Sequence, residues 1–221
     1  VQLYSLLGEG PIDYMAVDAI QRSLHDRVAA LDAADTLLAW EAKDTYTAGR
    51  RTKPQDIPDH SIPVIPMDRG GSVTYHGPGQ LVIYPIVKVR PPKDVVAFVR
   101  ATEAAIIRVL DTSFGLRACA VEGRSGVWFR DGGLDKKVCA IGMKFADDAT
   151  MHGLALNVST DLAKFGTIVP CGLADAGVTS MAEQGVEASL DEVARALAPE
   201  LSRQYRQFQR PERVENYGSA A

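Results

Sequence analysis

The sequence predicts an α+β fold with mixed, mostly antiparallel sheets and flanking helices. Three observations predict it. Short apolar runs bounded by turn residues recur along the chain, three longer segments carry helical periodicity, and no segment repeats. The 221 residues, 46% hydrophobic and 24% charged, suffice to bury a substantial core. A net charge of -4 excludes a chain built to coat nucleic acid. No apolar run approaches the ~20 residues that cross a membrane, and the VQLYSLLGEG start lacks a signal-peptide pattern. Three cysteines without a CxxC pair argue against a disulfide framework or a zinc knuckle and fit a reducing cytoplasm. The expectation is one domain over residues 1–221, with a small C-terminal helical extension from about Val186.

The elements follow in order. Residues 12–28 place Val17, Ile20, Leu24 and Val28 at helical spacing. DTLLAWE (35–41) and SVTYH (72–76) read as strands. QLVIYPIV (80–87) is nearly all apolar, the mark of a strand buried on both faces. Residues 94–112 carry the clearest apolar stripe, with Val95, Phe98, Val99, Thr102, Ile106, Val109 and Leu110, and Gly115 stops them. RACAV (117–121), GVWF (126–129), KKVCAIGMKF (136–145) and HGLALNV (152–158) are short strands. Ser189 and Glu192 match a capping box that opens a last helix, and the tail from Arg210 is polar and loose.

Cys119 and Cys139 sit in strand alternations and read as small core residues. Cys171 lies between Pro170 and Gly172, on a tight loop where packing is poor and access is good. A structural loop cysteine and a nucleophile are both open there. A nearby cation would favour the thiolate, and the candidates are few. His25 and His60 read as solvated surface; His76 and His152 each precede a glycine and read as hydrogen-bonded or reactive. Lys137 heads a strand that turns apolar, either snorkelling or desolvated with a lowered pKa. In a strand, Cys139 shares a face with Lys137 and is a rival thiol. RGGSVTYHGPGQ (69–80) packs four glycines around one strand, yet it is not a nucleotide fingerprint: Val82 replaces the third glycine, and no GK[ST] follows.

RGGSVTYHGPGQLVIYPI resembles the signature of the octanoyltransferases of lipoate biosynthesis. The likeness continues, in the same order, through TYTAGRR (45–51), GRSGVW (123–128), KVCAIG (137–142), HGLALNV and IVPCG (168–172). The resemblance implies the catalytic fold of biotin protein ligases and lipoate ligases, a cytoplasmic enzyme, and no cofactor or metal. It implies transfer of an octanoyl group from octanoyl-acyl carrier protein to a lysine of lipoyl domains, those of 2-oxoacid dehydrogenase complexes and of the glycine cleavage H protein. Cys171 corresponds to the acyl-thioester nucleophile. Lys137, 34 residues before it, corresponds to the lysine that lowers the thiol's pKa. The substrate pocket corresponds to Arg69, Gly70, Gly71, Ser72, Val73, Thr74, Tyr75 and His76, to Ala140, Ile141 and Gly142, and to Gly153, Leu154 and Ala155, with His152 and Asn157 in support. Val73, Tyr75, Ile141 and Leu154 are expected to line an acyl slot, with oxyanion donors near Gly70, Gly71 or Gly142.

One departure is visible. Glu41 is followed by Ala42 and Lys43, where the family usually has His-Pro. The alternative function is an ATP-dependent lipoate or biotin protein ligase on the same fold; a binding module for an acyl chain or lipoyl domain is a different class. Arg50, Arg51 and Lys53, or Lys88, Arg90 and Lys93, are candidate docking charges for an acidic carrier. The expected state is a monomer, without nucleic acid or membrane partners.

Overall fold

Two nearly continuous apolar runs become the middle of one large sheet. The computed structural model describes residues 1–59, 61–130, 132–168 and 176–209. Cys171, His60 and the tail from Arg210 lie outside the described residues. In chain order the elements are β1 (Gln2–Ser5), α1 (Tyr14–Ala29), β2 (Thr36–Trp40), β3 (Thr45–Ala48), β4 (Val64–Pro66), β5 (Val73–His76), β6 (Gln80–Ile86) and α2 (Val95–Phe114). They continue with β7 (Cys119–Val121), β8 (Arg124–Phe129), β9 (Lys136–Ala146), β10 (Ala149–Asn157), β11 (Gly177–Val178) and α3 (Leu190–Tyr205).

Among the described residues the large sheet has eight strands in the order β1-β2-β6-β10-β9-β8-β7, with β11 alongside β9. β1 runs parallel to β2 and β11 parallel to β9; the other ladders are antiparallel. A second sheet, β4-β3-β5, stands apart. The fold is therefore α+β with mixed, mostly antiparallel sheets. Both β2 and β6 are buried along their whole length, because each face of the large sheet carries its own layer. On one face Leu37, Leu81, Ile83, Cys139 and Leu156 pack under α2 and α3. On the other, Leu38, Trp40, Val82 and Tyr84 pack against Tyr14, Val17 and Val28 of α1.

The helices begin where the sequence marks them. Asp94 accepts from the Ala97 N–H at 2.8 Å, and Gly115 closes α2 with φ +68°. A cap of this kind is worth about 1 kcal/mol. Ser189 and Glu192 form the reciprocal capping box of α3. Tyr205 of α3 stacks on Phe98 of α2 with centroids 4.4 Å apart, and its hydroxyl meets Thr102 Oγ1 at 3.0 Å. The helix from Leu190 thus shares the main core rather than building its own.

Three local readings are corrected. His25 is not solvated surface: it is buried, and its Nε2 lies 3.1 Å from the Ala146 carbonyl. HGLALNV is the second half of a strand that starts at Ala149, and His152 is a kink inside it with φ +57°. The kink faces Pro85 of β6, which has no N–H to give. Gly153 beside it is required by space, since a Cβ there would come within 2.5 Å of Pro85 Cδ. Finally, Cys139 is not a rival nucleophile. It is fully buried in the core under α2 and α3, and burial pushes its thiol pKa far up.

Candidate active site

Between the large sheet and the β3-β4-β5 layer lies a cavity of about 460 Å³, a size suited to a small-molecule or acyl ligand. Its floor is made of two neighbouring cross-strand pairs, Ala140 with Ala155 and Gly142 with Gly153. The alanines leave room above the sheet. The glycines leave room for the protein itself: a Cβ on Gly142 would sit 2.7 Å from the Gly70 carbonyl oxygen. Arg69, Gly71, Ser72, Val73, Thr74 and His76 form one wall. Ile141 and Leu154, which also belong to the core under α2 and α3, border the cavity too. Gly70 and Tyr75 are not among its lining residues. The Gly70 N–H is committed to the Met143 carbonyl at 3.1 Å. Tyr75 turns the other way along β5, into a cluster with Phe165 and Tyr46, and its hydroxyl donates to Asp44.

Arg69 shapes that wall from beneath. It is 7% exposed, and its guanidinium donates to the carbonyls of Gly70, Ser72 and Thr47, each at 2.9 Å. Gly49 is needed for this approach, because a Cβ there would lie 2.4 Å from the Gly71 carbonyl oxygen. TYTAGRR and RGGSVTYH are therefore one packed unit.

Lys137 enters the cavity from β9. It is buried, and its Nζ lies 4.5 Å from the centroid of the Trp128 ring on the neighbouring strand, a cation–π distance. Gly126 makes the passage for its stem. With φ +108°, that residue would place a Cβ 2.4 Å from the Cys139 carbonyl oxygen and 3.3 Å from Lys137 Cε. Glu103 of α2, 1% exposed, fixes the bend by accepting the Gly126 N–H at 2.8 Å. The strand following residue 175 returns beside the same lysine, with Val178 paired to Lys137.

Two buried histidines line the cavity. His152 is fully engaged. Its N–H and its Nδ1 meet the Gln21 amide at 2.9 and 3.2 Å, and its Nε2 donates to Asp68 at 2.8 Å. Asp68 also takes Arg22 at 3.0 Å and Lys144 at 2.7 Å, which holds its carboxyl well below the usual carboxylate range. Burial lowers the pKa of His152 despite that carboxylate. His76 belongs to another network. Its Nδ1 lies 2.8 Å from Gln80 Oε1, while Gln80 Nε2 donates to the Tyr75 carbonyl at 3.1 Å and to Asn157 Oδ1 at 2.9 Å. Asn157 passes the chain on to the Thr179 carbonyl at 3.0 Å. Asn157 itself lies behind the cavity wall. Burial, with Arg69 nearby, pushes His76 down to about 3.

Several site residues escape sequence reasoning. Tyr14 and Tyr84 line the cavity and share a hydroxyl–hydroxyl bond at 2.9 Å. Gln21, Asp68 and Glu103 are buried or half-buried polar residues that each have a partner far along the chain, and Gln80 joins its neighbours Tyr75 and His76 to the distant Asn157, so no local pattern announces these links. Where Ala42 and Lys43 replace the expected His-Pro, Ala42 is fully buried beside Ile12, and Glu41 accepts the Gly79 N–H at 2.7 Å. Among the described residues no group of three or more histidines, cysteines or carboxylates is placed to hold a metal ion.

Residues 13–202 match the family described as Lipoyl protein ligase A/B catalytic domain. The chain is 54% identical over 185 residues to an octanoyltransferase of Thermobifida fusca, covering 81% of this chain and 78% of that one. It is 51% identical over 180 residues to an octanoyltransferase of Clavibacter sepedonicus, covering 79% and 77%. Among solved structures, a bipartite lipoate protein ligase from Thermoplasma acidophilum superposes with a TM-score of 0.66 at 18% identity, covering 92% of this chain and 82% of that one. Biotin protein ligase from Aquifex aeolicus does so with 0.60 at 15% identity, covering 94% and 72%. At such identities these structures speak for the fold alone. The sequence relatives speak for the chemistry: the chain belongs to the octanoyltransferases, acyltransferases built on the Lipoyl protein ligase A/B catalytic domain.

Proposed function

We propose that the protein moves an octanoyl group from octanoyl-acyl carrier protein to the lysine of a lipoyl domain through a thioester on Cys171. The observation that carries the reading is a buried lysine, Lys137, on the wall of a cavity floored by Ala140 and Ala155, beside the strand to which the chain returns just after Cys171. Cys171 lies outside the described residues. The chain before it ends in Ile168, which packs in the cluster around Val73 of β5, and the chain after it is tied to β9 at Gly177 and Val178. Neither anchor lines the cavity itself, but each adjoins a residue that does, Val73 on one side and Lys137 on the other.

In the first half-reaction the Cys171 sulfur attacks the carrier's thioester carbonyl. One C–S bond replaces another, and the carrier's thiol leaves with a proton, so no ATP is consumed. In the second, the lipoyl-domain amine attacks the acyl-enzyme. A C–N bond forms, the C–S bond breaks, and sulfur keeps the electron pair. The ammonium arrives with three protons and the amide keeps one; Lys137 delivers one to the departing sulfur, and water takes the other. With the Gly70 N–H bound to Met143 and Gly142 paired with Gly153 inside the β9–β10 ladder, Gly71 is the remaining oxyanion donor among the three expected. The acyl chain lies over the alanine floor, where each buried CH₂ contributes roughly 0.8 kcal/mol. Arg51 and Lys53 stand exposed at the mouth and form the docking charges for the acidic carrier. Lys88 and Lys93 do not, because they are bonded to Ala29, Asp147 and Asp148.

The test is an intact mass taken after mixing with octanoyl-acyl carrier protein without ATP. An octanoyl adduct on the parent, absent in Cys171→Ser and slowed at least a hundredfold in Lys137→Ala, is the expected result. An adduct that survives in Cys171→Ser moves the nucleophile elsewhere. No adduct, with acylation of a lipoyl domain that requires ATP and free acid, makes the protein a ligase.

A further inference from the structure

His76 is 5% exposed, lines the cavity, and has a ring nitrogen, Nε2, with no hydrogen-bond partner among the described residues. Its chemical state can be read from its neighbours. The Tyr75 carbonyl only accepts, so Gln80 must present its NH₂ there and its carbonyl oxygen to His76. Nδ1 therefore carries the ring proton, and Nε2 carries a bare lone pair. Asn157 is oriented in the same way, by the Thr179 carbonyl on one side and Gln80 on the other. The Thr179 N–H in turn donates to the Lys137 carbonyl at 3.0 Å. Five side-chain and backbone links thus fix the His76 tautomer and tie it to the strand that bears Lys137.

A buried acceptor without a donor costs free energy unless something supplies one. The indole nitrogens of Trp40 and Trp128 also lack partners among the described residues, but they are donors, and neither tryptophan lines the cavity. An octanoyl chain has no N–H or O–H and cannot satisfy Nε2. The attacking amine can, and it carries its N–H on the reacting atom.

We propose that His76 Nε2 accepts a hydrogen bond from the ε-amine of the lipoyl-domain lysine and aims its lone pair at the thioester carbonyl. This rests on the acyl-transfer reading above and adds a residue to its second half. His76 takes no proton in the step; a ring held at about 3 is too weak a base to keep one. The proton bookkeeping therefore stays with Lys137 and water.

The experiment separates the two half-reactions in single turnover. Acyl-enzyme formation from octanoyl-acyl carrier protein is followed by mass. Its discharge is then timed with a lipoyl domain and, separately, with hydroxylamine, a small nucleophile that needs no positioning. In His76→Ala, discharge to the lipoyl domain should fall at least tenfold more than either acylation or discharge to hydroxylamine, whatever common loss the altered cavity wall imposes on all three. His76→Gln, whose amide oxygen can accept, should recover part of the loss. Equal losses with both nucleophiles would reduce His76 to a structural group. A loss confined to acylation would give Nε2 to an amide N–H of the carrier's pantetheine arm instead. Unchanged rates throughout would remove His76 from the reaction. Failure of the parent to form any acyl-enzyme would sink the acyl-transfer reading itself and is seen before any variant is compared.

Discussion

His76 and His152 stand on the same cavity, both buried and both kept neutral, yet their surroundings differ in one respect. Every polar atom of the His152 ring has a partner, drawn from α1 and from the Asp68 loop. Among the described residues the His76 ring has one partner, and its second nitrogen is buried without one. The first arrangement is a brace: it closes the gap that Pro85 and the kinked β10 leave in the ladder, and it pins α1 to the sheet. The second is a ring held on one side only, with a buried acceptor on the other that no described residue satisfies. Burial alone does not distinguish them. The count of satisfied atoms does.

The comparison breaks most readily through stability. His152→Ala removes two ring hydrogen bonds and leaves Gln21 and Asp68 short of a partner, so it should cost about 3 kcal/mol in urea unfolding. His76→Ala removes one bond and should cost about 1 kcal/mol. Equal costs would erase the distinction between the two histidines.

Acid sharpens it next. A histidine held at about 3 in the folded chain and near ~6.5 unfolded binds its proton only when unfolded, so stability falls as pH drops from about 6.5 toward 3. For His76 this amounts to about 2 kcal/mol between pH 7 and pH 5. His152 adds to the fall in the same direction. Denaturation series at the two pH values should show a shallower fall in His76→Gln by about that amount. An identical fall in parent and variant would mean that His76 is not shielded as described.

Asp68 works in a lower window. Its carboxyl is held down by Arg22 first, with Lys144 and His152 contributing, so it stabilises the fold above about pH 4 and the benefit disappears below that. The side chain is 31% exposed, which tempers the effect through solvent screening. Asp68→Asn should cost about 1 kcal/mol at pH 7, with the gap to the parent closing as the pH is lowered below 4. A gap independent of pH would assign the loss to packing. The smallest expected effect lies at the mouth. Arg51→Glu should slow turnover of the carrier several-fold at low salt and barely at high salt; the same loss at both would end its role in docking.

Much of this arrangement was legible in the amino-acid order. Buried strands such as β2 and β6 write themselves as unbroken apolar runs, and α2 and α3 announce their ends with Asp94, Gly115 and the Ser189–Glu192 box. Helix α1 was legible as a helix but not as to its buried face. Gln21 and His25 look like solvent residues until partners from β10 and β9, more than a hundred positions away, are brought to them, and Asp18 is buried with Gln21 as its partner on the same helix. The site divides along the same line. The glycine-rich segment and Lys137 stand out as local patterns, while the unpartnered nitrogen of His76 depends on which way Gln80 points, and that is settled in three dimensions by the Tyr75 carbonyl and by Asn157 of β10. Tyr75 and His76 are adjacent letters that end on opposite faces of one strand, and only the second layer decides which of them meets the cavity.

Arg69 has a consequence beyond holding three carbonyls in place. A guanidinium never gives up its proton in this pH range, so the glycine loop rests on a charge that no stage of a reaction cycle can switch off. That standing potential helps to keep His76 from protonating. An oxyanion formed above the loop would feel the same potential as attraction. One buried side chain thus biases the glycine-loop side of the chamber: against a proton on His76, and toward a negative charge that exists only in passing.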